Sequence, residues 1–324
     1  MKFESFEIPD TLAGKRIDQA VTALLQDYSR SRIQQWLKAG YITLDGEVPR
    51  PREIVWGGET VDVQIQETGN AGSPDSWQAE DIPLDVAFED ESVIVINKPA
   101  GLVVHPGAGN QSGTLVNALL FHYPELAKLP RAGIIHRLDK DTTGLLVVAR
   151  DLKAHHSLTQ QLQDRAFTRE YVALVHNVMT GGGTVDEPMG RHPVQRTKMA
   201  VLPHSQYAKE AITHYRVLEK FRAHTRVKVN LETGRTHRIR VHLSYINYPL
   251  VGDPLYGGRF RLPPQAADSL IKALQTFKRQ ALHARLLGFK HPVTGEYHEW
   301  SAEIPEDMQH LINELKTDLE NHAE

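Results

Sequence analysis

The chain has 324 residues, room for about two domains of roughly 150 residues each, and its 40% hydrophobic and 24% charged content is ordinary for a globular protein, which excludes disorder throughout. It contains no cysteine, which excludes disulfide frameworks, thiolate nucleophiles and Cys-ligated zinc, and its longest apolar runs fall far short of the ~20 residues a bilayer span needs. The formal charge of −3 conceals a division: residues 53–97 carry eleven acids and no Lys or Arg, residues 299–324 carry eight acids against Lys316, and residues 98–298 hold 28 Lys plus Arg against 14 Asp plus Glu.

That central excess of +14 is the footprint of a phosphate-rich partner, since local charge and not the whole-chain sum decides what a surface attracts. The competing reading is that the acidic and basic parts neutralise one another. The acidic start around Glu4 and Glu7 is unlike a signal peptide, so a soluble cytoplasmic chain with no membrane partner is expected.

In chain order, Ile17, Ala20, Val21, Leu24 and Leu25 recur at helical spacing. Ser29-Arg30-Ser31-Arg32 supplies capping hydroxyls for a second helix with Ile33, Trp36 and Leu37 inward and Gly40 as its stop. Short strands are predicted at Tyr41 to Leu44 and Thr60 to Ile65, with Asp45-Gly46 as a hairpin signal. Residues 1–66 thus form a small module. Glu67 to Asp81, rich in Gly, Ser, Asn and acids around Gly69 to Pro74, reads as a flexible linker, and residues 82–324 as the main domain. There, strands are predicted at Val93 to Asn97, Gly144 to Ala149, Glu170 to Val175, Ile212 to Leu218 and Thr225 to Leu231. Helices are predicted at Leu115 to Phe121, Lys153 to Leu162, Arg238 to Tyr245, Ala267 to Phe277 and Met308 to Leu319, the last as a solvated acidic cap. Strands and helices do not alternate regularly, so an α+β fold with a largely antiparallel mixed sheet is expected.

Three segments could carry chemistry. Asn97-Lys98-Pro99-Ala100-Gly101 to Gly107 is a strand running into a Pro/Gly loop; it lacks the Gly-Lys-Ser/Thr of a phosphate loop and reads as a turn. His136-Arg137-Leu138-Asp139-Lys140-Asp141-Thr142-Thr143-Gly144 sets a carboxylate between two cations at a strand mouth, which suits a nucleophile or base, or equally a turn stitched by Asp and Thr side chains. Thr233-Gly234-Arg235-Thr236-His237-Arg238-Ile239-Arg240-Val241-His242-Leu243 gathers basic groups at a strand-helix junction, an anion site or a solvated basic helix. Its histidines at i and i+5 are poorly spaced for a shared metal, and no metal is expected.

Together these residues resemble the RluA-type pseudouridine synthases over almost the whole chain: His136 to Gly144 is similar to the catalytic motif, with Thr143 where Ser is usual, and Asn97 to Gly107, Gly190-Arg191-His192-Pro193, Lys198-Met199-Ala200, Gly234 to Leu243, Gly252-Asp253-Pro254-Leu255-Tyr256-Gly257 and Leu282-His283-Ala284 follow in the family's order. Arg238 stands where the family has Gln. Residues 15–65 are similar to an S4-type RNA-binding domain. The resemblance implies a pseudouridine synthase fold with a small α/β S4-like N-terminal domain, and RNA uridine as substrate, within the family at the helix 69 stem-loop of 23S ribosomal RNA, free or in an assembling large subunit. It implies Asp139 as nucleophile, Tyr171 against the base and Arg240 paired to Asp139, with Arg137, Arg30, Arg32, Lys38, Arg235, His237 and Arg238 as RNA contacts. It implies no cofactor and no nucleotide, and a monomer is expected. The alternatives are a non-catalytic ribosomal-RNA-binding or assembly factor on the same fold, and a hydrolase using Asp139 and Asp141.

Overall fold

A computed structural model describes the chain except residues 1, 26–27, 29, 51, 66–76, 108, 196, 233, 259 and 323–324, and the chain forms two compact units, Met1–Ser76 and Trp77–Glu324.

In the smaller unit, β1 (Lys2–Glu7), α1 (Ile17–Leu24), α2 (Arg30–Ala39), β2 (Ile42–Leu44) and β3 (Thr60–Ile65) follow in order, and the strands form an antiparallel sheet β1-β3-β2. The apolar stripe of α1 (Ile17, Ala20, Val21) meets Ile33, Trp36 and Leu37 of α2 and the inward Val61, Val63 and Ile65 of β3, all essentially inaccessible to solvent. Gly40 ends α2 with φ +76°, and Asp45-Gly46 turns the chain with φ 49° and 83°. Strand β1 is an addition to the predicted elements: its Phe3 is 70% exposed, so it lacks the two-sided apolar signal of a buried strand.

In the larger unit the elements are β4 (Val86–Glu89), β5 (Val93–Lys98), α3 (Leu115–His122), β6 (Thr143–Ala149), α4 (Leu152–Gln163), β7 (Thr168–His176), β8 (Gly183–Asp186), β9 (Met189–Arg191), β10 (Met199–Val201), β11 (Ile212–Lys220), β12 (His224–Leu231), α5 (Arg238–Tyr245), α6 (Asp268–Thr276), β13 (Leu282–Lys290), β14 (Tyr297–Ser301) and α7 (Glu306–Glu320). Among the described residues nine strands build one sheet, ordered β4-β5-β6-β13-β7-β12-β11-β8 with β14 on β13, while β9 and β10 form a separate hairpin. The pairing of β13 with β6, His283 opposite Thr143, is parallel; the other strand pairings described are antiparallel, as the α+β expectation requires.

Helices cover both faces. Ile94, Ile96, Leu146 and Val148 pack with α3 and α5 on one side, and Val93, Val95, Leu145 and Val147 with α4 on the other. Two-sided burial explains why β6 reads as an uninterrupted apolar run and not as an alternating one.

Two expectations need correction. The acidic α7 is not merely a solvated cap: Met308, Leu311, Ile312 and Leu315 are buried against α6 and β7, because its apolar residues recur on one face. Of the expected linker, residues 67–76 lie outside the described residues, whereas Trp77 to Asp81 belong to the larger unit. Trp77 packs on its core, the Asn117 side-chain amide donates to the Gln78 carbonyl at 2.6 Å, and the Glu80 N–H donates to the Asn117 carbonyl at 3.0 Å. One indole and a hydrogen-bonded backbone suffice to hold a segment whose composition is polar.

Candidate active site

The polar loop ahead of β6 is held from three directions. Lys98, at the end of β5 and 1% exposed, donates to the carbonyls of Pro99 (2.7 Å), Leu102 (3.0 Å) and Lys140 (2.8 Å), tying the Pro/Gly loop to the Asp139 loop. From the approach to β13, the Arg279 guanidinium donates to the Asp141 carbonyl at 3.3 Å and the Gln280 amide to Thr142 Oγ1 at 3.0 Å. Thr143 Oγ1 lies 2.9 Å from His283 Nδ1, across the parallel pairing. Leu138 drops into the core, and the Thr142 N–H closes a turn onto the Asp139 carbonyl. The segment is a turn, and Asp139 lies on it facing the cavity described below.

Asp139 Oδ2 receives a hydrogen bond from Arg240 Nη1 at 3.0 Å. The other edge of that guanidinium is gripped by Asp253, with Nε to Oδ2 at 2.7 Å and Nη2 to Oδ1 at 2.9 Å, a fork that fixes the plane of the group. Asp253 Oδ1 also accepts the N–H groups of Leu255 and Tyr256. Burial opposes the charge on Arg240, yet the hydrogen bonds and charges of Asp253 and Asp139 outweigh it and hold its pKa above the ordinary value. Burial likewise works to raise Asp253, and the bonds and charge of Arg240 reverse this and leave its pKa depressed. Arg240 is thus a permanent cation with one face turned to Asp139.

Around this pair lies a cavity of about 280 Å³, at the small end for a ligand site. Asp139, Tyr171, Arg137, Arg235, His237, Arg238 and Arg240 all line it, so seven of the ten residues singled out in the sequence meet in one place. Tyr171 projects from β7, 7% exposed, and burial raises its pKa, so it is a neutral phenol. Arg137 is exposed, whereas Arg238 is 2% exposed, with its pKa pushed down to about 9 by burial and then by the neighbouring Arg169. The three remaining residues sit on α2 of the smaller unit. The Arg32 guanidinium lies over the rings of Tyr28 and Trp36, Lys38 is exposed in the last turn, and the Arg30 side chain lies outside the described residues.

Four residues that sequence reasoning did not single out complete the site. Asp253 was visible only as part of a motif, because its partner Arg240 is thirteen residues away across a turn. Lys98 looked like a strand end, and Arg169, which bonds the Glu232 carbonyl at 3.1 Å, like an ordinary strand cation. Tyr256 lies under the Arg240 guanidinium, 5.1 Å from its ring centre. An acid inside a basic segment was the available signal for Asp253; for the others no pattern announces the contact.

Chemically the cavity offers one carboxylate, Asp139, beside six arginines and an aromatic wall among its described lining residues. It suits an anionic ligand carrying a planar ring, with a nucleophile or base at its edge. Residues 92–245 match the RNA pseudouridylate synthase family. The chain is 54% identical over 314 residues to ribosomal large subunit pseudouridine synthase D of Pseudomonas aeruginosa, covering 97% of this chain and 96% of that protein. It is 54% identical over 319 residues to the protein of the same name from Yersinia pestis, covering 98% and 95%. Among solved structures it is similar to human RNA pseudouridylate synthase domain containing 4, at 29% identity and a TM-score of 0.56, covering 71% of this chain and 92% of that one.

Proposed function

The chain belongs to the RNA pseudouridylate synthase family and is a pseudouridine synthase, and from that premise we propose that it isomerises uridines of large-subunit (23S) ribosomal RNA, in the helix 69 stem-loop, with Asp139 as nucleophile. The substrate reading is supported by the names of the relatives, which share half of their residues with this chain along nearly their full length, and by the basic segment 98–298, from which the described lining residues of the cavity are drawn. The nucleophile reading is carried by one observation: Asp139 is the carboxylate among the described lining residues, and the Arg240–Asp253 fork aims a permanent cation at one of its oxygens.

A cavity of this size admits a single nucleoside and not a stacked pair, so the target uridine leaves its stack at a cost of a few kcal/mol, with Arg137 at the rim to occupy the vacated space. Asp139 attacks and forms a transient covalent bond to the nucleotide, the N1–C1′ glycosidic bond breaks, the uracil turns within the cavity, its C5 bonds to C1′, and the bond to Asp139 breaks again to free the carboxylate. The C5 proton is then lost and N1 gains one, so no atoms are added or removed overall. Tyr171, neutral and buried, packs on the uracil face. Arg235, His237 and Arg238 line the cavity where the negatively charged backbone of the substrate would enter, and the smaller unit, read as S4-like, adds a second RNA grip through Arg30, Arg32 and Lys38.

The test is Asp139→Asn with large-subunit rRNA as substrate. No pseudouridine is expected, while the melting curve and RNA affinity stay as in the parent. Turnover at the parent rate removes Asp139 from its role, and product at uridines outside helix 69 removes the proposed target.

A further inference from the structure

His237 caps α5 from the left-handed region, at φ 58°, with no capping hydrogen bond from its own side chain. A residue other than glycine holds such a backbone only where its surroundings impose it. Tyr256 is the group that engages it. The phenol oxygen lies 2.9 Å from His237 Nδ1 and accepts the Met199 N–H at 2.8 Å. Because Met199 already donates to that oxygen, the phenol hydrogen is left to donate, and Nδ1 is the acceptor within reach. The imidazole proton then sits on Nε2, the nitrogen 3.9 Å from Asp139 Oδ1.

Electrostatics select the same tautomer. A bare Nε2 lone pair would face a carboxylate, whereas an N–H faces it favourably. Burial depresses the His237 pKa; the charges of Asp139 and Asp253 raise it, and those of Arg240 and Arg137 lower it, leaving it below the ordinary value and the ring neutral at neutral pH.

We propose that Tyr256 and His237 form a positioning relay for the nucleophile. Tyr256 fixes the His237 tautomer, and the Nε2–H of His237 restrains the Asp139 carboxyl so that Oδ2 stays on Arg240 and Oδ1 is left for the uridine. The relay rests on the assignment of Asp139 above. Tyr256 is not among the described residues that line the cavity, whereas His237 is, so the rate constant and the RNA affinity are read separately.

Single-turnover pseudouridine formation by the full chain on a transcribed large-subunit rRNA fragment tests it. Tyr256→Phe keeps the ring under Arg240, and misplacing a reacting group is expected to lower the rate constant about 10- to 100-fold. RNA affinity stays within about twofold, since only the chemical step loses an interaction. His237→Ala lowers the rate similarly, the double variant is no slower than His237→Ala, and His237→Gln, which can still offer an N–H, recovers part of the loss. A parent rate for Tyr256→Phe, losses that multiply in the double variant, a loss confined to affinity, or a Gln variant as slow as the Ala variant overturns the relay. Asp139→Asn run alongside separates the two assignments: if it is inactive while Tyr256→Phe is fully active, the relay alone falls, and if it is active, the nucleophile assignment falls.

Discussion

At the scale of single residues, the site depends on Asp253 as much as on the residues that face the cavity. Its side chain is fully buried, and it meets Arg240 through two hydrogen bonds while accepting two backbone N–H groups. Removing one partner from such a pair strands the other charge away from water. Asp253→Ala is therefore expected to cost about 3–5 kcal/mol of stability and to lower turnover as well. Urea unfolding checks this, and a change below about 1 kcal/mol, the range of an exposed pair, would contradict it. Asp139 stood out locally as an acid among cations and Arg240 as one of a cluster of cations, whereas their pairing was implied by the family resemblance and not by the pattern. Asp253 and Lys98 were not, because what they do is defined by carbonyls and guanidiniums that only the folded chain brings near.

At the scale of elements, β6 was legible and β13 was not, for physical reasons. The β6 run Thr143–Ala149 is buried throughout, whereas β13 is interrupted by His283, Arg285 and Lys290, although it lies between β6 and β7. Where β6 and β13 meet, Gly144 has φ +107°, and a Cβ there would lie 2.1 Å from the Ala284 carbonyl oxygen. Gly144→Ala must push the two strands apart at the end of the Asp139 loop. Backbone strain alone accounts for about 1–3 kcal/mol, and the clash adds to it. A melting temperature equal to that of the parent would show that the strands do not approach so closely. The helices α1, α3 and α5 were readable because helical periodicity survives a polar neighbourhood; the short β8, β9 and β10 carry too few residues to show a period.

At the scale of the whole molecule, the histidines make stability depend on pH. Burial depresses His136 and His224 to about 3 and His105, His176 and His242 to about 4, in some of them aided by neighbouring positive groups. Each is neutral in the folded state, while the unfolded chain takes up a proton near pH 6.5. Their contribution is complete above that value and is lost as pH falls from about 6.5 to about 4 for His105, His176 and His242, and on to about 3 for His136 and His224, since there the unfolded state binds more protons. Each such histidine contributes a slope of up to about 1.4 kcal/mol per pH unit across that window. Chemical denaturation at pH 7.5 and 5 should show the drop, and equal stabilities would contradict it.

The parallel seam between β6 and β13 also imposes an order in time. Thr143 and His283 are 140 residues apart, so the loop that carries Asp139 waits for the far strand to be synthesised. At ribosomal elongation rates of about 5–20 residues per second the wait is roughly 7 to 28 s. During that interval Arg279, Gln280 and His283 have not yet reached the loop. A chain truncated before residue 279 lacks these clamps, and it is expected to form no pseudouridine, which an assay of the truncated chain on large-subunit rRNA checks.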